Sequence, residues 1–159
     1  MRTPSPLQQF AERDYRAVVA AVARITGDHV HAADSVQDAL LSLLEDPRPV
    51  DNLAAWITVV AANRCRDRQR RRAAEQRALG RVGVTALAAD LHSIDEDIRD
   101  AINALPLRQR QICILHYVLD ESIESIALRL GVTGGAVKTH LFRGRRALAA
   151  RLTPVSAAA

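Results

Sequence analysis

The sequence predicts an all-α protein built as two small helical domains joined by a flexible linker, and three observations predict it. Ala, Leu, Val and Arg dominate a chain of 159 residues with only 3% aromatics, and apolar residues recur every three or four positions rather than alternating. Two such periodic segments, 1–78 and 94–152, flank a stretch at 79–93 with two glycines and no long apolar stripe. The third observation is a corner in the second segment, ESIESIALRLGVTGGAVKTHLFRGRRALAAR, which reads as two short helices meeting at Gly131. A short tail at 153–159 follows.

In the first segment, Leu7, Phe10, Tyr15, Val18, Val22 and Ile25 form one face of a helix over 5–26, which Gly27 and Asp28 end. A second helix is expected from about His31 to Glu45, with Val36, Leu40, Leu43 and Leu44 inward and Asp34, Gln37 and Asp38 outward. Pro47 and Pro49 break the pattern, since neither has an amide hydrogen to give a helix. Asp51 or Asn52 then caps a third helix. Its first half, with Leu53, Trp56, Ile57 and Val60, faces a core, and its arginine-rich second half is expected to leave the core as a basic arm.

In the second segment, Ser93 and Glu96 have the spacing of a capping box ahead of Ile94, Ile98, Ala101, Ile102 and Leu105. Pro106 suits the first turn of a new helix carrying Ile112, Leu115, His116 and Leu119. Ile123, Ile126, Ala127 and Leu130 make the next helix, and Gly131 stands where a helix end favours positive φ. Thr133 is the expected N-cap of a last helix whose stripe is Val137, Leu141, Leu148 and Leu152. From Ser125 onward there is no acidic residue, whereas Arg129, Lys138, Arg143, Arg145, Arg146 and Arg151 are basic. A surface so one-sided suits a polyanion. The acids Asp90, Asp95, Glu96, Asp97 and Asp100 stand ahead of or in the first turns of a helix, where its dipole favours negative charge.

The chain offers little to an enzyme: it has no P-loop, GxGxxG, HExxH, GxSxG or CxxC, and its serines stand on expected helix surfaces or caps. No catalytic residue, metal site, cofactor or small-molecule substrate is expected. Cys65 and Cys113 are isolated thiols, read as small buried hydrophobes, with a redox role conceivable only for Cys65 among its arginines. His29 and His31 read as polar turn residues. The N-terminus is polar and no apolar run approaches the roughly 18–20 residues of a membrane span, so the expectation is a soluble cytoplasmic protein without membrane insertion.

These segments resemble the extracytoplasmic-function (ECF) sigma factors of bacterial RNA polymerase, in the sigma-70 superfamily. TGDHVHAADSVQDALLSLL is similar to the acidic second helix of their region 2, and VDNLAAWITVVAANRCRDRQRRR to their Trp-bearing third helix. ALPLRQRQICILHYVLDESIESIALRLGVTGGAVKTHLFRGRRALAARL resembles region 4 with its helix-turn-helix. The resemblance implies a promoter-specificity subunit that binds core RNA polymerase and promoter DNA and is open to control by an anti-sigma factor. It implies polymerase docking through Asp34, Gln37, Asp38 and Leu41, and contact with the downstream (−10) element and its unpaired strand through Asn52, Asn63, Arg64, Asp67 and Arg68. The upstream (−35) element would meet Thr133, Gly134, Gly135, Lys138, Thr139 and Arg143 in the major groove, with Arg145 and Arg146 toward phosphates.

Two departures stand out. LLSLLEDPRPVDN lacks the aromatics the family often carries there, so fewer rings are offered to unstacked bases. Gly134 and Gly135 replace larger residues at the start of the recognition helix, costing about 1–2 kcal/mol of helix propensity relative to alanine. KTHLFRGRRAL also resembles the recognition helix of response regulators, so the alternative is a free-standing regulator binding DNA as a dimer. The first segment, however, has no alternating strand-helix pattern of a receiver domain. An anti-sigma or adaptor role is a weaker third reading, because it would leave both arginine-rich helices without a purpose.

Overall fold

A computed structural model of the protein describes residues 5–80 and 94–153, whose regular structure is helical, in two compact units. Ser93, Asp90 and most of the stretches read as linker and tail lie outside the described residues, as do the side chains of Ile94 and Asp95.

In the N-terminal unit, α1 (Pro6–Gln9) opens with a capping box between Ser5 and Gln8. It runs through a π-helical turn, Phe10–Asp14, into α2 (Tyr15–Thr26), which Gly27 closes at φ 72°. A left-handed residue there lets the Gly27 amide donate to the Ala23 carbonyl. α3 (Ala32–Glu45) and α4 (Leu53–Ala78) complete the unit, α4 starting where the Asn52 side chain accepts the Ala55 amide at 3.1 Å. The core between α2, α3 and α4 holds Phe10, Val18, Val22, Ala23, Val36, Ala39, Ile57 and Ala61, with Tyr15, Leu40, Leu53, Trp56 and Val60 packed around it.

The face that α3 buries is the expected one at Val36 and Leu40 but not at the C-terminal end of the helix. Ala32, Ser35, Val36 and Ala39 are its buried residues, whereas Leu44 is 57% exposed and Leu43 only half-buried. Small residues line the seam because α3 lies close against α2 and α4, which leaves Leu44 beside the exposed Leu41 on the outside. Leu79 and Gly80 then end α4, with Gly80 at φ 64°.

The C-terminal unit comprises α5 (Ile94–Asn103), α6 (Leu107–Tyr117), α7 (Ile123–Leu130) and α8 (Gly134–Leu152). Five consecutive residues of α6, Gln111 to Leu115, are buried, so this helix is enclosed around its circumference. Helix α8 packs on α5, α6 and α7, burying Val137, Leu141 and Gly144. Leu148 is half-buried and Leu152 is 40% exposed, so the stripe expected on α8 weakens toward its end. Ile98 is likewise 42% exposed, leaving Ala101 and Leu105 as the buried contacts at the end of α5 and just beyond it. A Cβ at Gly144 would lie 2.5 Å from the Cys113 sulfur, so only glycine permits this approach of α6 and α8.

Candidate nucleic-acid interface

The corner between α7 and α8 is made by local chemistry. Ser122 Oγ accepts the Ser125 amide at 3.1 Å to start α7, and Gly131 at φ 63° closes it. Two residues later Thr133 Oγ1 accepts the Ala136 amide at 3.1 Å and starts α8. Thr133→Ala is expected to cost about 1 kcal/mol of unfolding free energy, read by thermal denaturation of the full chain, and Thr133→Ser should restore most of it.

Behind that corner the outer face of α8 presents Gly135, Lys138, Thr139, Arg143, Arg145 and Arg146 to solvent, with Gly134 half-buried near Ile123. The Thr139 hydroxyl donates to the Gly135 carbonyl at 2.9 Å, which orients its methyl and lone pairs. Phe142, absent from the residues singled out by sequence, is 54% exposed on this face with the Arg146 guanidinium 5.9 Å from its ring centre. Its offset of one residue from the Leu141 stripe is the signal that could have found it. Arg129, read as part of the basic surface, is withdrawn from it: its side chain is 11% exposed and Nε donates to the Glu121 carboxylate at 2.7 Å.

In the N-terminal unit the residues expected to dock polymerase divide. Asp34, Gln37 and Leu41 are exposed on α3, Gln37 lying at 3.5 Å from the Tyr15 hydroxyl. Asp38 instead leans on α4, where its carboxylate accepts Arg68 at 2.7 Å and its carbonyl accepts Arg64. Arg68 also reaches Ser35 Oγ at 3.5 Å. The arginine run is therefore not wholly a projecting arm: Arg64 and Arg68 fold back on α3 and Arg72 contacts His31, while Arg70, Arg71 and Arg77 are exposed. Asp38, Arg64, Asp67, Arg68 and Arg71 line one cleft of about 310 Å³. Asn63 is exposed beside it and accepts Arg66 at 2.6 Å. Asn52 is not brought to this cleft, because it caps the other end of α4, about 18 Å from Arg64 and farther from Asp67, Arg68 and Arg71 at 1.5 Å per residue. In the loop between, Arg48 lies 6.0 Å from the Trp56 ring centre and pairs with Asp46.

The thiols behave as core residues. Burial pushes both Cys65 and Cys113 up from the ordinary cysteine value. Cys65 lies 3.7 Å from the Asp28 carboxylate, which disfavours a thiolate further. Burial pushes Asp28 itself up, but hydrogen bonds from the backbone and ring of His31 outweigh it and hold the carboxyl below its usual value. Among the described residues no group of three or more His, Cys, Asp or Glu is placed to hold a metal ion, and no helix is long and apolar enough to cross a membrane.

Residues 10–75 match the family model of sigma-70 region 2, and residues 95–148 that of sigma-70 region 4. Over 144 residues the chain is 33% identical to the ECF RNA polymerase sigma factor SigL of Mycobacterium tuberculosis, covering 82% of this chain and 78% of that protein. This chain is an ECF sigma factor. Another relative, EcfG of Rhodopseudomonas palustris, is 32% identical over 136 residues, covering 80% of this sigma factor and 75% of EcfG. Among solved structures, the sigma factor RpoE of Bartonella quintana, determined with the anti-sigma factor NepR, matches with a TM-score of 0.77 and 27% identity. That match covers 94% of this sigma factor and 98% of RpoE. CnrH, solved with the cytosolic domain of CnrY, shares the fold at a TM-score of 0.61 and 24% identity. Both sigma regions occur in one chain in the expected order, which does not favour the dimeric regulator.

Proposed function

We propose that this ECF sigma factor is a promoter-specificity subunit that binds core RNA polymerase in the cytoplasm and recognises promoter DNA at two separated elements, without catalysis of its own. The observation that carries the reading is a formed helix-turn-helix whose outer face is basic, in a chain that also supplies a region 2 unit. Helix α8 enters the major groove of the upstream element, where Thr139 and Arg143 face bases and Lys138, Arg145 and Arg146 face phosphates. Gly134 and Gly135 offer first-turn backbone amides and no side chains to the groove, and Thr133 stands beside them as the cap of the helix. The cleft of Arg64, Asp67, Arg68 and Arg71, with Asn63 beside it, holds the downstream element, and Asn52 belongs to the loop end of the same helix. Asp34, Gln37 and Leu41 dock the polymerase, Asp38 bridging the two surfaces.

An anti-sigma factor is proposed as a competing partner. The support is the relative from Bartonella quintana held by NepR, together with the exposed apolar pair Leu41 and Leu44 on the docking helix.

Holoenzyme binding to promoter variants tests the upstream assignment. Arg143→Ala is expected to lose about 1–3 kcal/mol and to relax preference at one base pair, as loss of a guanine-edge contact would. Lys138→Ala should weaken all sequences alike and flatten the salt dependence. Uniform weakening by both would reduce Arg143 to a phosphate contact.

A further inference from the structure

We propose that the buried ion pair Glu121–Arg129 is a positioning device for promoter recognition, setting the angle at which α8 is presented to the upstream element. The proposal rests on the assignment of α8 as the recognition helix.

Glu121 is 4% exposed and the Arg129 side chain 11%. Arg129 Nε donates to one carboxylate oxygen at 2.7 Å and Nη2 to the other at 3.4 Å, a two-point contact that fixes direction as well as distance. The main chain of Glu121 is tied to α6 at the same time. Its amide donates to the Leu115 carbonyl at 3.0 Å, and its carbonyl accepts His116 Nδ1 at 2.8 Å. One residue therefore joins α6 to the last turn of α7. It does so directly after Asp120, which holds a left-handed φ of 53° to make the turn.

Helix α7 needs such a tie. It has eight residues and one fully buried side chain, Ile126; Ile123, Ala127 and Leu130 are half-buried. Apolar contact on this scale holds the helix down without fixing its tilt, because it has no direction. Arg129 stands two residues before Gly131 and four before the Thr133 cap of α8, so a tilt of α7 is passed straight to the recognition helix. Stability alone is a poor reason for the pair: withdrawing two charges from water consumes most of what their attraction returns, and an apolar pair of similar size is commonly as stable. Direction is what an apolar pair would not supply.

The test uses the full chain with core RNA polymerase. Initiation is compared on a promoter with its upstream element intact and on one with that element scrambled, and the ratio measures discrimination. The apolar double variant Glu121→Leu/Arg129→Met is expected to melt within a few degrees of the wild type yet to lose discrimination about tenfold, the size of a misplaced base contact. Its initiation on the scrambled promoter should be unchanged. If that variant does not fold, Glu121→Gln, which keeps shape and one hydrogen bond, decides at a temperature well below its melting. There a several-fold loss of discrimination supports the proposal. Wild-type discrimination in whichever folded variant is read overturns it and leaves the pair a structural contact. Absence of discrimination by the wild type would instead sink the assignment of α8 on which the proposal rests.

Discussion

Gly144→Ala is expected to destabilise the C-terminal unit by about 1–3 kcal/mol, although alanine in place of glycine inside a helix ordinarily stabilises by about 1 kcal/mol. The reversal of sign comes from one contact. A Cβ at this position would stand 2.5 Å from the Cys113 sulfur, and Cys113 is 5% exposed in the enclosed helix α6, so the sulfur cannot swing into solvent. For a unit of this size, the loss corresponds to a fall in melting temperature of roughly 4–8 °C per kcal/mol. Cys113→Ala removes the obstructing atom, so the double variant Cys113→Ala/Gly144→Ala should recover much of the loss. A rise in melting temperature for Gly144→Ala alone would show that α6 and α8 are not packed this closely.

The second large effect is expected on α3. Asp34→Arg together with Leu41→Arg should weaken binding to core polymerase by about 30-fold or more, the scale of losing interface hot spots, while helical circular dichroism stays at its wild-type value and melting temperature falls by only a few degrees, because Asp34 stands in the first turn of α3. Both side chains are exposed on the outer face, so reversing the charge at position 34 and placing a new one at position 41 repels a partner without disturbing the core. Asp38→Arg is a different experiment. It removes the acceptor of Arg68 and puts a third cation beside Arg64 and Arg68, so a loss of stability is expected along with any loss of docking. Unimpaired binding by the Asp34/Leu41 double variant would remove the docking assignment from this face.

Much of the architecture was legible in the sequence because the residues that decide it act locally. Gly27 and Gly131 end helices, and Asn52 and Thr133 start them, through contacts within four residues. The helix-turn-helix corner could accordingly be read from spacing. What escaped the sequence depends on distant partners. Arg68 looks like one more cation of a basic arm until α3 brings Asp38, thirty positions earlier, to its guanidinium. Arg129 looks like part of a nucleic-acid surface until Glu121 is seen buried against it. Leu44 continues an apparent apolar stripe, but the small residues Ala32, Ser35 and Ala39 take the inner face because the neighbouring helices approach too closely for leucine. Charge and hydropathy name a residue's tendencies; which partner it meets is a property of the packing.

Whether the two units act as one promoter reader only when polymerase holds them is decided by transcription in a purified system containing core RNA polymerase, this protein and a library of genomic promoters. Each unit alone offers little surface for tight specific binding, so the free protein is expected to bind DNA weakly and with strong salt dependence. Specific initiation should appear only when core enzyme is added, at promoters sharing two separated elements. Tight, sequence-specific binding by the protein alone, as a dimer on a palindrome, would instead make it a self-sufficient regulator.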